Sequence, residues 1–589
     1  MGRQNRAFMI QLEKCRKNVF SLGELKSIRD LFDRVRNSYS GRICIAEKKN
    51  KMTVSYSVDR FARDVKQLSF ALENAGLTGR HVGIVGENSY RWIVAFFALT
   101  TVGSVAVPID KELPDADIVK LLKKADASAV FCSSAYYSAG LSMKEDNPDF
   151  KCISLSDKKR EGILDFEEFK SSASSYSKTE KFFNSRLPSS DDTAVIIFTS
   201  GTTGANKGVV LSHGNLCANV DSLSKMIDVP TAFSVLPMNH AYELGCSVLT
   251  AIYINAVLYI NDRLRNVQKN IAEFKPEGMI AVPLIADTFY DTIMSESEKL
   301  GKKDRLLKAV KLSNSLRSHG IDLRKIMFKD IADSFGGKLP LIACGGASVN
   351  AEKMKFLDDI GFKIIIGYGL TEASPLAAVN FDVGIHPDSV GLPMNRCEVK
   401  IDSPDSDGAG EIFIRGKNVT CGYYNDAESN EKSFTPDGWF KTGDYGRIDN
   451  DGYLYITGRK KNLIILDNGK NIYPEEIENT IEENSSVIKE AVVFQTLKEL
   501  DGGGKANVLA AVVGLMPGSF AGRTPSEIME AVLNEIYRIN RLLPGYKRIH
   551  EVKFVLKPMP KTSTMKVIRN EVIKIYYELD RRKTACMKK

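Results

Sequence analysis

Ten residues, Thr199-Ser-Gly-Thr-Thr-Gly-Ala-Asn-Lys-Gly208, lie between two runs of β-branched and apolar residues, 194–198 and 209–211. Glycines, hydroxyls and one lysine gathered in a tight turn expose backbone N–H groups, O–H donors and a positive charge together, which is the chemistry of an anion cradle. The stretch is no Walker A loop, because it lacks the Gly-Lys-Ser/Thr ending and no helix follows at once. It reads as a glycine-rich hairpin closing over phosphates. Taken alone, the same composition also suits a flexible surface loop.

The surrounding pattern is α/β. Short β-branched runs at 81–85, 105–109, 129–132, 195–198, 232–236, 279–282, 341–343 and 363–366 alternate with longer amphipathic segments. After the hairpin, Leu216, Val220, Leu223 and Ile227 recur at helical spacing. Such alternation predicts a mostly parallel sheet with helices on both faces. At 589 residues the chain exceeds what one hydrophobic core supports, so at least two domains are expected. Composition shifts near residues 403–410, where the strand-like run 411–415 begins a more β-rich region. Residues 295–334 are lysine-rich and helical, which predicts a surface excursion.

Charge and cysteine usage exclude several classes. A formal charge of +8 spread over this length gives mild attraction to nucleotides, coenzyme A, acidic carrier proteins or lipid headgroups, and points to no nucleic-acid partner. The ten cysteines show no Cys-x-x-Cys spacing, which suits a reducing cytoplasm rather than a disulfide framework or zinc site. Residues 1–20 carry Arg3, Arg6, Lys14, Arg16 and Lys17 without an apolar segment after them, so no secretory signal is expected. This basic start suits a solvated helix face, or peripheral contact with a membrane. The apolar stretches 92–108 and 247–260 are interrupted or too short to span a bilayer and read as buried helix–strand units.

Three further clusters carry chemistry. Residues 341–343 run into Cys344-Gly-Gly-Ala-Ser348, and 363–366 into Gly367-Tyr-Gly-Leu-Thr-Glu-Ala-Ser-Pro375. Open α/β sheets bind ligands beyond the carboxyl ends of their strands. Tyr368 offers a face for a base and Glu372 a hard oxygen for Mg²⁺; the alternatives are a plain turn and a helix-start carboxylate. Farther on, Asp444 follows Thr-Gly and Arg459 ends Gly452-Tyr-Leu-Tyr-Ile-Thr-Gly-Arg459. An Asp there can accept hydrogen bonds from ribose hydroxyls and the Arg can bond ribose or phosphate oxygens; a β-turn Asp and a surface Arg remain open. Pro474, Glu475, Glu476 and Glu478 read as the start of a structural helix.

In this order the segments resemble the adenylate-forming superfamily of acyl-CoA synthetases, peptide-synthetase adenylation domains and luciferases. The resemblance runs from about residue 31 to 572 and ends in Pro560-Lys-Thr-Ser-Thr-Met-Lys-Val-Ile-Arg569. It implies a large multi-subdomain N-terminal α/β domain with mostly parallel sheets (1–459) and a small mobile C-terminal α+β domain (460–589). It also implies that Thr199, Ser200, Gly201, Thr202, Thr203, Gly204 and Lys207 hold the ATP phosphates. Thr203 and Glu372 would share Mg²⁺, Gly345, Gly346 and Ala347 with Tyr368 would pack the adenine, and Gly369 and Thr371 would also bind the nucleotide. Asp444 and Arg459 would take the ribose. Lys566 would bridge the substrate carboxylate and the α-phosphate, and Lys461 would be the hinge.

A carboxylate attacking ATP brings two anions together, and cations with loop donors offset that repulsion. Two positions depart from the family pattern: Asn206 stands where Pro is usual, and Met565 where Gly usually precedes the lysine. Leu236-Pro-Met-Asn-His-Ala-Tyr-Glu243 and the helical excursion look most like long-chain fatty acyl-CoA synthetases, with His240 and Tyr242 where the acyl tunnel begins; a core histidine is the alternative. The expectation is ATP-dependent activation of a long-chain fatty acid and transfer to coenzyme A in the cytoplasm. Loading of an acyl carrier protein, and a degenerate nucleotide-binding scaffold, stand as the other two readings.

Overall fold

The computed structural model describes residues 24–586 except 173–175, 201–205, 339–340, 348, 382–385, 466–470, 500–504, 517 and 563–565. Two large sheets carry most of the chain. In the nine-stranded sheet, Lys363–Gly369, Leu341–Gly345, Gly278–Ala281, Thr231–Ser234, Val257–Ile260 and Ile43–Lys49 run parallel in that spatial order. Antiparallel strands close both edges: Leu376–Asn380 with Leu392–Pro393 on one side, Met52–Ser57 on the other. In the seven-stranded sheet His81–Val85 lies between Val105–Pro108, the central strand, and Ala129–Cys132, all three parallel. Beyond Val105–Pro108 comes the antiparallel hairpin Thr193–Ser200 with Asn206–Ser212, and Gly422–Tyr423 forms the edge on that side.

The helix Tyr90–Thr100 packs against strands of both sheets, and every residue in it except Arg91 is buried. That explains its all-round apolar sequence, because a helix sandwiched between two sheets has no solvent face. Ser89 caps it, accepting from the Trp92 N–H. The apolar stretch read as a helix–strand unit is therefore one. The second stretch holds a π-helical turn, Glu243–Leu249, then Thr250–Tyr253 and the strand Val257–Ile260. The lysine-rich excursion begins earlier than its composition suggested, at Pro283, and breaks into Pro283–Lys299, Lys303–Ser318, Arg324–Met327 and Lys329–Ser334.

A four-stranded antiparallel sheet (Cys397–Asp402, Gly410–Gly416, Phe440–Ile448, Leu454–Arg459) follows. The last part of the chain forms a three-stranded sheet of Ile488–Glu499, Lys505–Leu515 and Ile549–Val555. Helices Pro474–Asn484 and Pro525–Asn540 cover one face of it, and Arg569–Cys586 packs with the apolar cluster that includes Val492, Phe494 and Met559. The apolar clusters of residues 464–576 contain no residue from the clusters of 25–454, so the two parts bury separate cores.

Candidate active site

The glycine-rich segment is a hairpin. Thr199 pairs with Lys207 and Phe198 with Gly208 across the ladder, while its tip, residues 201–205 with Gly201, Thr202, Thr203 and Gly204, lies outside the described residues. Asn206, the first departure from the family pattern, offers its carbonyl to the Lys124 ammonium at 2.6 Å. Strand pairing aims the hairpin. Gly422–Tyr423 adds to Asn206–Ser212, and the Lys207 ammonium sits 4.8 Å from the Tyr423 ring centroid. The Tyr423 hydroxyl donates to Glu372 Oε1 at 2.9 Å. Thus the phosphate hairpin, the candidate metal ligand and Tyr423 form one cluster.

Glu372 lies in a single 3₁₀ turn, Thr371–Ala373, beyond the end of the strand Lys363–Gly369. Burial pushes its carboxyl above the usual range, opposed by hydrogen bonds from the backbone and from Tyr423. Among the described residues the side chain that bonds this carboxylate is Tyr423, through Oε1. One carboxylate plus phosphate oxygens is the donor set that suits Mg²⁺, and the residues present fit that ion.

The next strand ends line the floor. Gly345 is the register partner of Gly367, and a Cβ on Gly345 would sit 2.8 Å from the Gly367 carbonyl oxygen and 3.3 Å from the Tyr242 hydroxyl. Gly346 follows at φ +88°, a left-handed backbone that glycine adopts without strain. Ala347 is exposed beside it. Tyr242 donates to the Ala343 carbonyl at 2.8 Å, so its hydroxyl is tied to this floor and held in its protonated form by burial.

Tyr368 connects the floor to the ribose candidates. It is largely buried and its hydroxyl donates to Asp444 Oδ2 at 2.8 Å. Asp444 and Arg459 are register partners of neighbouring antiparallel strands, with Arg459 Nε 3.1 Å from Asp444 Oδ1. Asp444 is only 6% exposed and carries both bonds, which orients its carboxylate. Sequence spacing of fifteen residues hid this pairing; the strand register makes it direct.

From the small C-terminal part comes Lys566. Its backbone N–H donates to Thr562 Oγ1 and its carbonyl accepts from the Thr562 N–H, closing a turn whose tip, with Met565, lies outside the described residues. Arg569 anchors that turn, 2.6 Å from Glu478 and donating to the Val493 carbonyl. Glu478 therefore serves as an anchor rather than only a helix-start charge. Lys566 as a residue is solvent-exposed, yet its ammonium is pushed down to about 8 by desolvation and by the nearby Arg459 charge, with Asp444 opposing. The Lys566 charge in turn acts on His240, whose ring is pushed down mainly by burial and drawn up by Asp110. Lys566, Arg459, Asp444 and His240 thus share one electrostatic neighbourhood.

Three residues at the site were not singled out from sequence. Asn88 accepts from the Met238 N–H and donates to the Leu236 carbonyl, holding the loop that presents His240. Tyr423 bridges Lys207 and Glu372. Glu243 is fully buried, with burial pushing its carboxyl to about 8 and its Oε2 accepting from the Leu236 N–H. A carboxyl within an apolar run was the available signal for Glu243.

The AMP-binding enzyme family model matches residues 32–424, and the AMP-binding enzyme C-terminal domain model matches 461–579. The chain belongs to the AMP-binding enzyme family. It is similar to long-chain-fatty-acid–CoA ligase 5 of Rattus norvegicus, 28% identical over 84% of this chain and 78% of that protein. It is also similar to the peroxisomal long chain acyl-CoA synthetase 6 of Arabidopsis thaliana, 31% identical over 68% of this chain and 61% of that protein. Among solved structures, ATP-bound MatB from Rhodopseudomonas palustris superposes with a TM-score of 0.70 at 21% identity, covering 94% of this chain and 99% of that one. The anthranilate CoA ligase AuaEII with anthranoyl-AMP gives 0.72 at 19% identity, covering 94% and 98%. At those identities the structural likeness establishes the fold: a large N-terminal and a small C-terminal domain.

Proposed function

We propose that this chain is an AMP-forming ligase that activates a long-chain fatty acid and transfers it to coenzyme A. The reading is supported by Lys566, from the small domain, standing within electrostatic reach of the Asp444–Arg459 pair and of His240 in the large one. A fatty carboxylate oxygen attacks the α-phosphorus of ATP, the bond to the β-phosphate oxygen breaks, and pyrophosphate leaves. The thiol of coenzyme A then attacks the acyl carbonyl and AMP leaves.

Each group has one task in this scheme. Lys207 and the hairpin residues 199–204 hold the phosphates, Gly345, Gly346 and Ala347 with Tyr368 pack the adenine, and Gly369 and Thr371 also bind the nucleotide. Asp444 accepts from the ribose hydroxyls with Arg459 beside it, and Lys566 lies between the attacking carboxylate and the α-phosphate, offsetting their repulsion. Thr203 and Glu372 hold Mg²⁺, which when bound neutralises phosphate charge. His240 and Tyr242 stand at the start of the acyl path. The boundary falls between 459 and 460, with Lys461 as hinge.

Long-chain acids as substrates follow the names of the relatives and the sequence around His240; the cytoplasm as location follows the scattered thiols. Among the described residues no helix is long and apolar enough to cross a membrane. A panel of carboxylic acids read by pyrophosphate release, then by thioester formation, tests the reading. Release with palmitate and thioester with free coenzyme A are the expected results. Thioester only on an acyl carrier protein would move the assignment to carrier loading, and ATP binding without any pyrophosphate release would leave a scaffold.

A further inference from the structure

Residues 299–329 hold ten Lys/Arg against two Asp/Glu, a net charge of +8 that equals the formal net charge of the whole chain. The remainder is neutral overall, so the chain's basicity is concentrated in its helical excursion. Its cations are also free to act. Lys302, Arg305, Lys308, Lys311, Lys325 and Lys329 are exposed and make no ion pair with the described residues.

Apolar side chains stand among them. Leu300 is 65% exposed, Leu312 56% and Ile326 75%, with Leu307 and Ile321 also exposed. On Lys303–Ser318, Leu307, Lys308, Lys311 and Leu312 fall on one side by helical spacing, opposite the buried Val310 and Ser313. A solvated charged helix does not need exposed leucines, and an apolar protein interface does not need six unpaired cations. The combination fits an anionic lipid surface, where cations meet headgroups and short apolar side chains enter the acyl boundary.

Position adds a reason. Pro283–Lys299 starts directly after the strand Gly278–Ala281, and Val282 lies 3.9 Å from a Cβ built on Gly346 at the site floor. Seventeen helical residues span about 25 Å, so this helix leads from the site to the patch over a length comparable to a long acyl chain.

We propose that residues 299–329 form a membrane-docking surface that binds anionic lipid headgroups and inserts Leu300, Leu312 and Ile326 at the interface. The proposal is independent of which acid the enzyme activates, because its test reads binding alone. The full chain is floated, without substrates, with vesicles of phosphatidylcholine alone and of phosphatidylcholine mixed with phosphatidylglycerol. Binding to the mixed vesicles only is expected. The combined Lys302→Gln, Lys308→Gln and Lys311→Gln change lowers it on the order of a hundredfold, and Leu312→Ser with Ile326→Ser lowers it roughly tenfold. All five positions lie on the surface, and an unchanged melting temperature verifies folding. Wild-type binding in the lysine variant, as attachment through the basic residues 1–23 would give, overturns the proposal. So does capture by an acidic acyl carrier protein without flotation on either vesicle.

Discussion

A desolvated ammonium with a guanidinium charge nearby loses its proton more readily than one in water. Lys566 is in that position, pushed down from the ordinary lysine range to about 8. The sign is direct: below pH 8 the side chain is the cation that the proposed reaction needs, and above it the charge is lost. Accordingly kcat/KM for pyrophosphate release is expected to fall as pH rises through about 8, because kcat/KM reports groups of the free enzyme. Lys566→Arg keeps its charge and is expected to move that limb to higher pH, while Lys566→Ala loses about 10²–10³-fold in adenylation. A falling limb unmoved by the Arg variant would assign it to another group. Beside it, Tyr368→Phe removes one donor from a buried carboxylate, worth about 1 kcal/mol. The ATP KM is then expected to rise roughly fivefold with kcat held, since Asp444 keeps Arg459 but loses its second orienting bond.

Elements explain which parts of the fold and site were legible beforehand. The phosphate hairpin was readable because β-branched strands and a glycine turn are both local signals, and its pairing of Thr199 with Lys207 needs no distant residue. The strands Ile43–Lys49 and Met52–Ser57, at one edge of the nine-stranded sheet, were missed: polar residues interrupt both, and the turn between them uses Asn50 and Lys51 at positive φ in place of glycine. The π-helical turn Glu243–Leu249 was equally hidden, since a widened turn shifts the 3.6-residue register by which helices are recognised. Within that turn Glu243 makes a testable contribution. Its carboxyl is raised from 4.5 to about 8 in the fold, so the native state holds a proton that the unfolded chain releases. Stability from this group is full below pH 4.5 and drains away as pH rises through about 8. The melting temperature of Glu243→Gln, neutral throughout, is expected to fall less than wild type between pH 5 and pH 9; parallel curves would count against a buried protonated acid. Gly369 tests the turn after the neighbouring strand, where an added Cβ would collide with the Pro375 carbonyl. Gly369→Ala is expected to cost about 1–3 kcal/mol, read by thermal melting, with adenylation reduced alongside.

At the scale of the whole molecule, the proposed chemistry asks Lys566 to let two anions meet and then to make way for a thiol, so that reading calls for the small domain to turn between the two half-reactions. The connection between the two cores limits where that motion can occur. Arg459 is fixed in a strand and paired with Asp444, and Lys460 is held to the large part by Glu411 at 2.6 Å. Asn462 is already tied to Glu475 at the start of the helix Pro474–Asn484. Lys461 is the residue between these two anchors, so the proposed hinge there would turn its dihedrals without breaking either side-chain contact. Proline there fixes φ near −65° and restricts Lys460 as well. For Lys461→Pro, pyrophosphate release in the first turnover is expected to stay within about twofold of wild type, because Lys566 still reaches its partners, while thioester formation falls by roughly tenfold or more. Equal loss in both half-reactions would place the pivot elsewhere in the chain, and unchanged thioester formation would mean that the thiol enters without the small domain turning at all.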